Sequence, residues 1–298
     1  MLENIPYIGE IFAFTTAVFW GLAVILFKKS GETIHPVALN IFKGSLSFIL
    51  IIPVMLIMGN EFLRDVPFRI LIIYIISGII GIGLADTFFF LCLNTLGAGL
   101  TAIVDCLYSP FIISLSVVFL AEVMTVWQIV GVLMIISAVL LASNTKRPEH
   151  LSREDFIKGF LWGALAMLCI AVSVIIIKPY LINEPLLWVT QVRTLAGLGA
   201  LFIILMFFKN RKKQLKSLVD IRNWKWMFPG SFLGNYLSLI LWMAAFKYTQ
   251  ASTAAALNQT SNIFVFVFAA LFLKEMITRE KLIGIILAVG GASLIMFA

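Results

Sequence analysis

Four ionisable side chains lie inside long apolar stretches, and they are the first candidates for chemistry: Lys43, Asp86, Asp105 and Arg193. At the centre of a helix in hydrocarbon such a group costs at least about 2.5 kcal/mol, so it usually faces the protein interior or a wet cavity. A carboxylate there can bind a cationic group or carry a proton. A guanidinium offers planar recognition of a carboxylate or phosphate.

The spacing of Asp86 and Asp105 predicts that both lie at one depth. They are nine residues before and ten residues after Thr95, which we place in a hairpin turn, so both lie ~14 Å from it along their helices. Lys43 is seven residues past Pro36, whose loop is on the same side. We therefore predict an ion pair of Lys43 with Asp86 or Asp105. The cluster either only joins helices, or an aspartate binds a cationic group of a solute or carries a proton.

Other candidates are polar or aromatic residues inside the same apolar stretches. Arg193 matches Lys43 at an offset of 150 and is expected toward the opposite face of the membrane. It either holds an acidic group of a solute or makes an ordinary ion pair or carbonyl contact near the interface. Buried amides need partners, so they either join helices or line a solute path. The candidate cavity residues are Trp20, Lys43, Asp86, Asp105, Tyr108, Gln191, Arg193, Asn235, Asn258 and Asn262.

The elements that position these residues are helices that cross a membrane. Of the 298 residues, 61% are hydrophobic and 12% are charged, whereas soluble chains are nearer half apolar and a quarter charged. About 20 apolar residues of helix cross the hydrocarbon layer. We predict an all-α integral membrane protein with ten transmembrane helices, near 7–27, 36–58, 68–92, 98–120, 125–143, 157–177, 186–208, 226–246, 252–273 and 279–297.

The two halves of the chain match each other in order. An offset of 153 aligns 119–122 with 272–275, Gly131 with Gly284 and Asp105 with Asn258, and an offset of 150 aligns 27–28 with 177–178. A five-helix unit crosses the membrane an odd number of times, so its second copy is inverted. We predict a first repeat over 1–145, a polar linker over 146–156 and a second repeat over 157–298.

Charge and motif content weigh against other classes of protein. The net charge is +7, but the basic residues concentrate in loops, as is typical of membrane-flanking lysines, so no nucleic-acid partner is predicted. The three cysteines lie in or at the edges of apolar segments and are expected to be free thiols. Both histidines, His35 and His150, lie in predicted loops, and the spans contain no HExxH, Walker or Ser/His/Asp pattern. We predict no enzyme activity and no metal.

Several short motifs are spread along the chain, and some of them occur once in each half. They are Phe19-Trp20-Gly21, Lys43, Arg193, Pro110, and the Leu-x-Glu endings at 120–122 and 273–275 with Gly131 and Gly284 after them. With them the sequence resembles the drug/metabolite transporter superfamily, in its EamA-type ten-helix branch, over essentially its whole length. The resemblance implies a secondary transporter that exports or exchanges small metabolites, such as amino acids or nucleosides, without ATP hydrolysis or a prosthetic group. Where the family often has proline in the ninth helix, this chain has Asn262 and Ile263, so a matching kink is not implied.

Some alternatives stay open at this point. A channel-like facilitator would also have polar spans, and a membrane-embedded enzyme is a weaker alternative. The protein is expected in the plasma or inner membrane, with a coupling proton as one candidate partner. Basic residues follow the odd-numbered helices, for example Lys28, Lys29 and the 209–216 cluster. The positive-inside rule then places both termini outside, whereas proteins of the resembled family usually have both in the cytoplasm.

Overall fold

A computed structural model describes residues 7–59, 61, 64–121, 123–143, 151–182 and 184–297. Within these ranges every regular element is helical. The ten predicted crossing segments are all present as helices, which confirms the all-α membrane fold. The first five are α1 Ile8–Gly31, α2 Pro36–Ile57, α3 Phe68–Leu96, α4 Ala98–Leu120 and α5 Val126–Ser143.

The second five helices follow the same order. Two shorter helices, Lys178–Leu181 and Arg211–Val219, flank the seventh segment and were not predicted. The five segments are α6 Arg153–Ile175, α7 Leu186–Met206, α8 with Ile221–Ser231, Phe232–Leu237 and Ser238–Tyr248, α9 with Ala251–Asn258 and Ser261–Phe272, and α10 Arg279–Phe297. Six helices, α1 to α4, α6 and α7, are each long and apolar enough to cross a membrane.

A π-helical segment interrupts both α3 and α8 at matching positions. The segments are Ile79–Ala85 and Phe232–Leu237, and they begin 153 residues apart, which is the offset that the sequence predicts. Each contains a glycine at the corresponding place, Gly81 and Gly234, against a neighbouring helix. π-turns inside α-helices are rare and often occur at functional sites.

A tight turn also breaks both α4 and α9 at matching positions. In α4 the turn follows Asp105, where the Leu107 amide donates to the Val104 carbonyl at 3.0 Å. In α9 it follows Asn258, where the Thr260 amide donates to the Leu257 carbonyl at 3.1 Å. Proline lacks an amide hydrogen and disfavours helical backbone before it, so Pro110 accounts for the first break. The second break occurs without proline, and the resemblance did not imply it.

This second break predicts that proline is tolerated in α9. Ile263 is the third residue of Ser261–Phe272, just as Pro110 is the third of the helix that starts at Tyr108. Ile263→Pro should therefore lower the free energy of unfolding by only about 1 kcal/mol, because proline fits a first helical turn and removes a single hydrogen bond, from the Ile263 amide to the Thr260 carbonyl at 3.1 Å. Val267→Pro, at a similarly exposed position in the helix interior, should cost about 3 kcal/mol. Unfolding of the purified variants in detergent compares them, and equal costs would contradict the prediction.

Two lysines at matching positions bind the ends of neighbouring helices. The Lys28 ammonium donates to the carbonyl of Leu93 at 3.0 Å, near the end of α3. The Lys178 ammonium donates to the carbonyl of Phe246, near the end of α8. Residues 28 and 178 are 150 apart and residues 93 and 246 are 153 apart, so both predicted offsets recur in these contacts. Lys28 was predicted as a membrane-flanking residue, and its contact with α3 is a finding of the structure.

The end of α9 is bonded to the start of α4. Glu275 follows Lys274, which has a left-handed φ of 55°, and Ala121 has a φ of 54° at the matching place after α4. The Glu275 carboxylate accepts from the amides of Ala98 at 2.7 Å and Gly99 at 3.0 Å. A carboxylate at a helix N-terminus satisfies amides that lack helical partners and complements the helix dipole. Its counterpart Glu122 lies outside the described residues.

Helices of one half pack mainly against helices of the other half. α1 packs on α8 and α9, α2 on α7, α3 on α6 and α7, and α4 on α6 and α9. α5 and α10 pack mainly against each other, and Gly131 and Gly291 allow close approach of the two backbones. Residues on α1 to α4 therefore meet residues on α6 to α9 at the centre. The exact boundaries of the two repeats and the linker stay a prediction.

Candidate functional site

A central cavity of about 100 Å³ lies between the two halves. Residues from α1 to α4 form one part of its wall, and residues from α6 to α9 form the other. The lining residues are Thr16, Trp20, Lys43, Gly81, Ile82, Asp86, Asp105, Tyr108, Met167, Ile170, Ser173, Arg193, Gly234, Asn235, Ser238, Leu239, Trp242, Asn258 and Gln259. Both π-helical segments and both helix breaks contribute to this wall.

The fold brings together most of the residues predicted from the sequence. Eight of the ten candidates line the cavity, namely Trp20, Lys43, Asp86, Asp105, Tyr108, Arg193, Asn235 and Asn258. The other two, Gln191 and Asn262, are buried outside the lining. The four ionisable residues therefore share one cavity, although they come from four different helices.

Lys43 and Asp86 form an ion pair in the cavity wall. The Lys43 Nζ lies 2.5 Å from the Asp86 Oδ2, and their side chains are 2% and 14% exposed. The predicted pairing of Lys43 is thus confirmed with Asp86, and not with Asp105. The Lys43 ammonium also lies 5.3 Å from the ring centroid of Phe90. The Lys43 carbonyl accepts from the amide of Asn235 at 3.2 Å, which ties the pair to α8.

Arg193 on α7 brings a second cation into the same cavity. Only 1% of the residue is exposed, and among the described residues no carboxylate lies within 4.0 Å of its guanidinium. Its contacts are weak: Ser173 Oγ at 3.4 Å, the Met243 sulfur, and the Trp242 ring with a centroid 5.9 Å away. The Nε group has no hydrogen-bond partner. The guanidinium is thus held by its neighbours without being neutralised in a direct pair.

Asp105 ends the first helical segment of α4, at the helix break. In the part of the chain that the structure describes, no Lys or Arg lies within 4.0 Å of its carboxylate. Its polar neighbour is the amide of Asn262 on α9. Asn258 ends the matching segment of α9, and its Oδ1 is buried without a hydrogen-bond partner. The two breaks thus place two oxygen-bearing side chains at the cavity with hydrogen-bonding capacity to spare.

Gln191 and Asn262 have partners that explain their positions outside the cavity. The Gln191 amide donates to the carbonyl of Phe48 at 2.9 Å, which joins α7 to α2. The Asn262 amide donates to Gln259 Oε1 at 2.6 Å and lies 3.2 Å from the Cys106 sulfur. Both amides therefore hold helices together, which is one of the two roles that the sequence leaves open for them.

Some lining residues are not among those predicted from the sequence. Trp242 stands out because it lines the cavity and its ring centroid lies 5.9 Å from the Arg193 guanidinium, and Ser173 and Ser238 add hydroxyl groups. The available signal is weak, since it consists of single small polar residues within apolar helices. Among the described residues no group of three or more His, Cys, Asp or Glu side chains is placed to hold a metal ion.

Comparisons with known proteins agree with this architecture. The EamA-like transporter family matches twice, over residues 7–144 and 157–297. A protein of Archaeoglobus fulgidus named as an uncharacterized transporter is 21% identical over 280 residues, which are 92% of this chain and 93% of that protein.

Two further matches extend the comparison. A probable 4-amino-4-deoxy-L-arabinose-phosphoundecaprenol flippase subunit, ArnF, of Photorhabdus laumondii subsp. laumondii is 24% identical over 140 residues, 46% of this chain and 96% of the subunit. A solved crystal structure superposes with a TM-score of 0.73 and 16% identity, covering 96% of this chain and 95% of that one, and supports the fold. The chain belongs to the EamA-like transporter family and is a multi-pass membrane transporter.

Proposed function

We propose that this protein is a secondary transporter that exports or exchanges small metabolites, such as amino acids or related solutes, by alternating access in the plasma or inner membrane. The observation that carries the proposal is that two ionisable side chains of the central cavity have no oppositely charged partner in direct contact within the described chain. Arg193 supplies a guanidinium and Asp105 a carboxylate, and each lies more than 4.0 Å from any opposite charge in the described chain.

A solute with both an anionic and a cationic group complements this arrangement. A guanidinium binds a carboxylate through two parallel hydrogen bonds, and a carboxylate accepts from an ammonium group. The nearby rings of Trp20 and Trp242 offer apolar faces for the rest of the solute. Lys43 and Asp86 already neutralise each other, so they contribute a polar wall and no net charge.

Alternating access requires that the cavity open to each side in turn. The breaks after Asp105 and Asn258 divide α4 and α9 beside the cavity. Broken helices at the interface of inverted repeats are a recurring feature of secondary transporters, in which one repeat rocks against the other. This parallel supports a mechanism in which the two halves move about the cavity.

Counterflow in proteoliposomes tests the proposal. The purified protein is reconstituted into vesicles preloaded with an unlabelled amino acid or nucleoside, and uptake of the labelled compound is followed. A carrier gives saturable uptake that depends on the internal compound. A channel-like facilitator would give uptake without that dependence, which would contradict the alternating-access proposal.

The role of Asp105 gives a specific expectation in the same assay. Asp105→Asn should lower the counterflow of an ammonium-bearing solute roughly tenfold or more, since a hydrogen bond to a charged group is worth about 1.5–3 kcal/mol. Asp86→Asn is tested alongside it, and Asp65→Asn, at an exposed position, is the matched control.

A second assay, in which a pH gradient drives uptake, distinguishes solute binding from proton coupling at Asp105. If Asp105 carries a coupling proton, Asp105→Asn should keep counterflow and lose uptake driven by a pH gradient. Loss of both activities supports solute binding. Wild-type behaviour of Asp105→Asn in both assays would remove Asp105 from the cycle.

A further inference from the structure

The short helix Arg211–Val219 lies on the surface at the end of α7, and the transport cavity does not use it. None of its residues is buried. Leu218 packs against the apolar cluster of Val37, Ile41, Leu201 and Leu205, which joins the start of α2 to the end of α7. The helix is therefore held at the level where two spanning helices end, which is the depth of the lipid headgroups.

This helix presents apolar side chains that no described residue covers. Leu215 is 43% exposed, Val219 is 76% exposed, and Ile221 just beyond it is 79% exposed. Trp224 lies beside them, and its indole nitrogen donates to the Leu218 carbonyl at 2.9 Å. Tryptophan at this depth is typical of the membrane interface. The apolar side of the helix thus continues into an interfacial aromatic group at the start of α8.

The polar side of the helix is strongly basic. Lys212, Lys213 and Lys216 lie on the side away from Leu215 and Leu218. Lys209 and Arg211 add two cations at the start of the segment, and the sequence from 209 to 219 contains no acid. In the described chain none of them has a carboxylate within 4.0 Å. The nearest acid in sequence, Asp220, is bonded to Arg222 at 2.9 Å, and these hydrogen bonds lower the pKa of Asp220. In these ranges the basic residues therefore have no carboxylate in direct contact, and only Lys216 is near enough to Asp220 to contribute to lowering its pKa.

We propose that the 209–219 segment is a docking surface for the headgroups of anionic phospholipids. A surface helix with lysines on one side and leucine and valine on the other, beside an interfacial tryptophan, is suited to lie in the interface plane. Basic clusters next to a spanning helix attract anionic lipids, and several ammonium groups beside one guanidinium match the phosphodiester chemistry of those headgroups. The surface does not depend on which solute the cavity binds.

The test measures lipid selectivity of the full-length protein in vesicles of phosphatidylcholine and phosphatidylglycerol. Spin-labelled lipids report the fraction held at the protein surface, and the ratio for the two headgroups gives the preference. Each basic residue near an anionic surface strengthens the attraction about fivefold. Lys212→Gln/Lys213→Gln/Lys216→Gln should therefore lower the preference for phosphatidylglycerol at least about fivefold, and the same three positions changed to arginine should keep it.

A matched variant removes equal charge from the same membrane face. Arg153→Gln/Lys158→Gln/Arg279→Gln neutralises three exposed cations at the starts of α6 and α10 and should leave the preference unchanged. Thermal melting in detergent confirms that each variant is folded. Equal losses in both triple variants would overturn the proposal in favour of a diffuse surface charge. An unchanged preference in the first variant would also overturn it, and would leave an acidic segment of another protein as the occupant to test.

Discussion

Lys43→Met should lower the free energy of unfolding by about 3–5 kcal/mol, the usual cost of removing one partner from a buried ion pair. The reason is that the Asp86 carboxylate, only 14% exposed in the native pair, would lose the ammonium group 2.5 Å away. Methionine keeps most of the side-chain volume, so the loss of packing is small. Titration of the purified protein with SDS in mixed micelles measures the change.

The double variant separates the ion pair from general disruption. In Lys43→Met/Asp86→Asn both charges are absent, so the variant should be more stable than Lys43→Met alone despite carrying one more substitution. Asp65→Asn again serves as an exposed control. A double variant that loses the sum of the two single effects would show that the charges do not depend on each other. Full transport activity in Lys43→Met would in addition exclude a role for the pair in the cycle.

Arg193→Met should abolish most transport of a solute that bears a carboxylate. The proposed bidentate contact is worth about 3 kcal/mol, which corresponds to a roughly 100-fold loss in kcat/KM. Arg193→Lys keeps the charge but not the planar fork, so its activity should lie between those of the wild type and Arg193→Met. Counterflow of a labelled amino acid measures all three proteins, with Arg69→Met as the control for loss of an exposed arginine.

A second solute shows whether Arg193 acts through the carboxylate. The decarboxylated amine of the same compound lacks the proposed partner group. We expect the wild type to transport it more weakly than the amino acid, and Arg193→Met should lower that transport much less than it lowers transport of the amino acid. A uniform loss for both solutes would indicate that Arg193 is needed for the fold or the conformational change. The helical content and melting temperature of the variant decide between those two causes.

The sequence contains enough information for the ten helices and their matched halves. Apolar runs of about 20 residues have one stable form in a bilayer, since backbone groups must be satisfied within the segment. The predicted ends are close to those observed, although α1 continues to Gly31 and α8 begins earlier, at Ile221. The pairing of Lys43 with an aspartate also follows from depth alone, because an isolated charge in this environment is costly.

Other features depend on the rotation of each helix, which apolar runs do not specify. Gln191 is only two residues from Arg193, yet it turns toward Phe48 and away from the cavity. Two further features are missed for a different reason. No proline marks the break in α9, and the hairpin turn lies at Gly97, with a φ of 83°, because Thr95 is still within α3. Selecting the partner of Lys43 between Asp86 and Asp105 likewise requires the rotation of α3 and α4.

The paired π-helical segments have a consequence for the direction in which later side chains point. A π-turn holds one residue more than the α-turn it replaces, so everything after it is rotated by about 100°. Asp86 follows the first segment and Ser238 follows the second, and both line the cavity. Removing a single residue from either segment would turn the following side chain away from the cavity while leaving the length of the span almost unchanged. Because the two segments begin 153 residues apart, the surplus residue lies at the same register in both halves, and each half would lose its cavity-facing side chain in the same way.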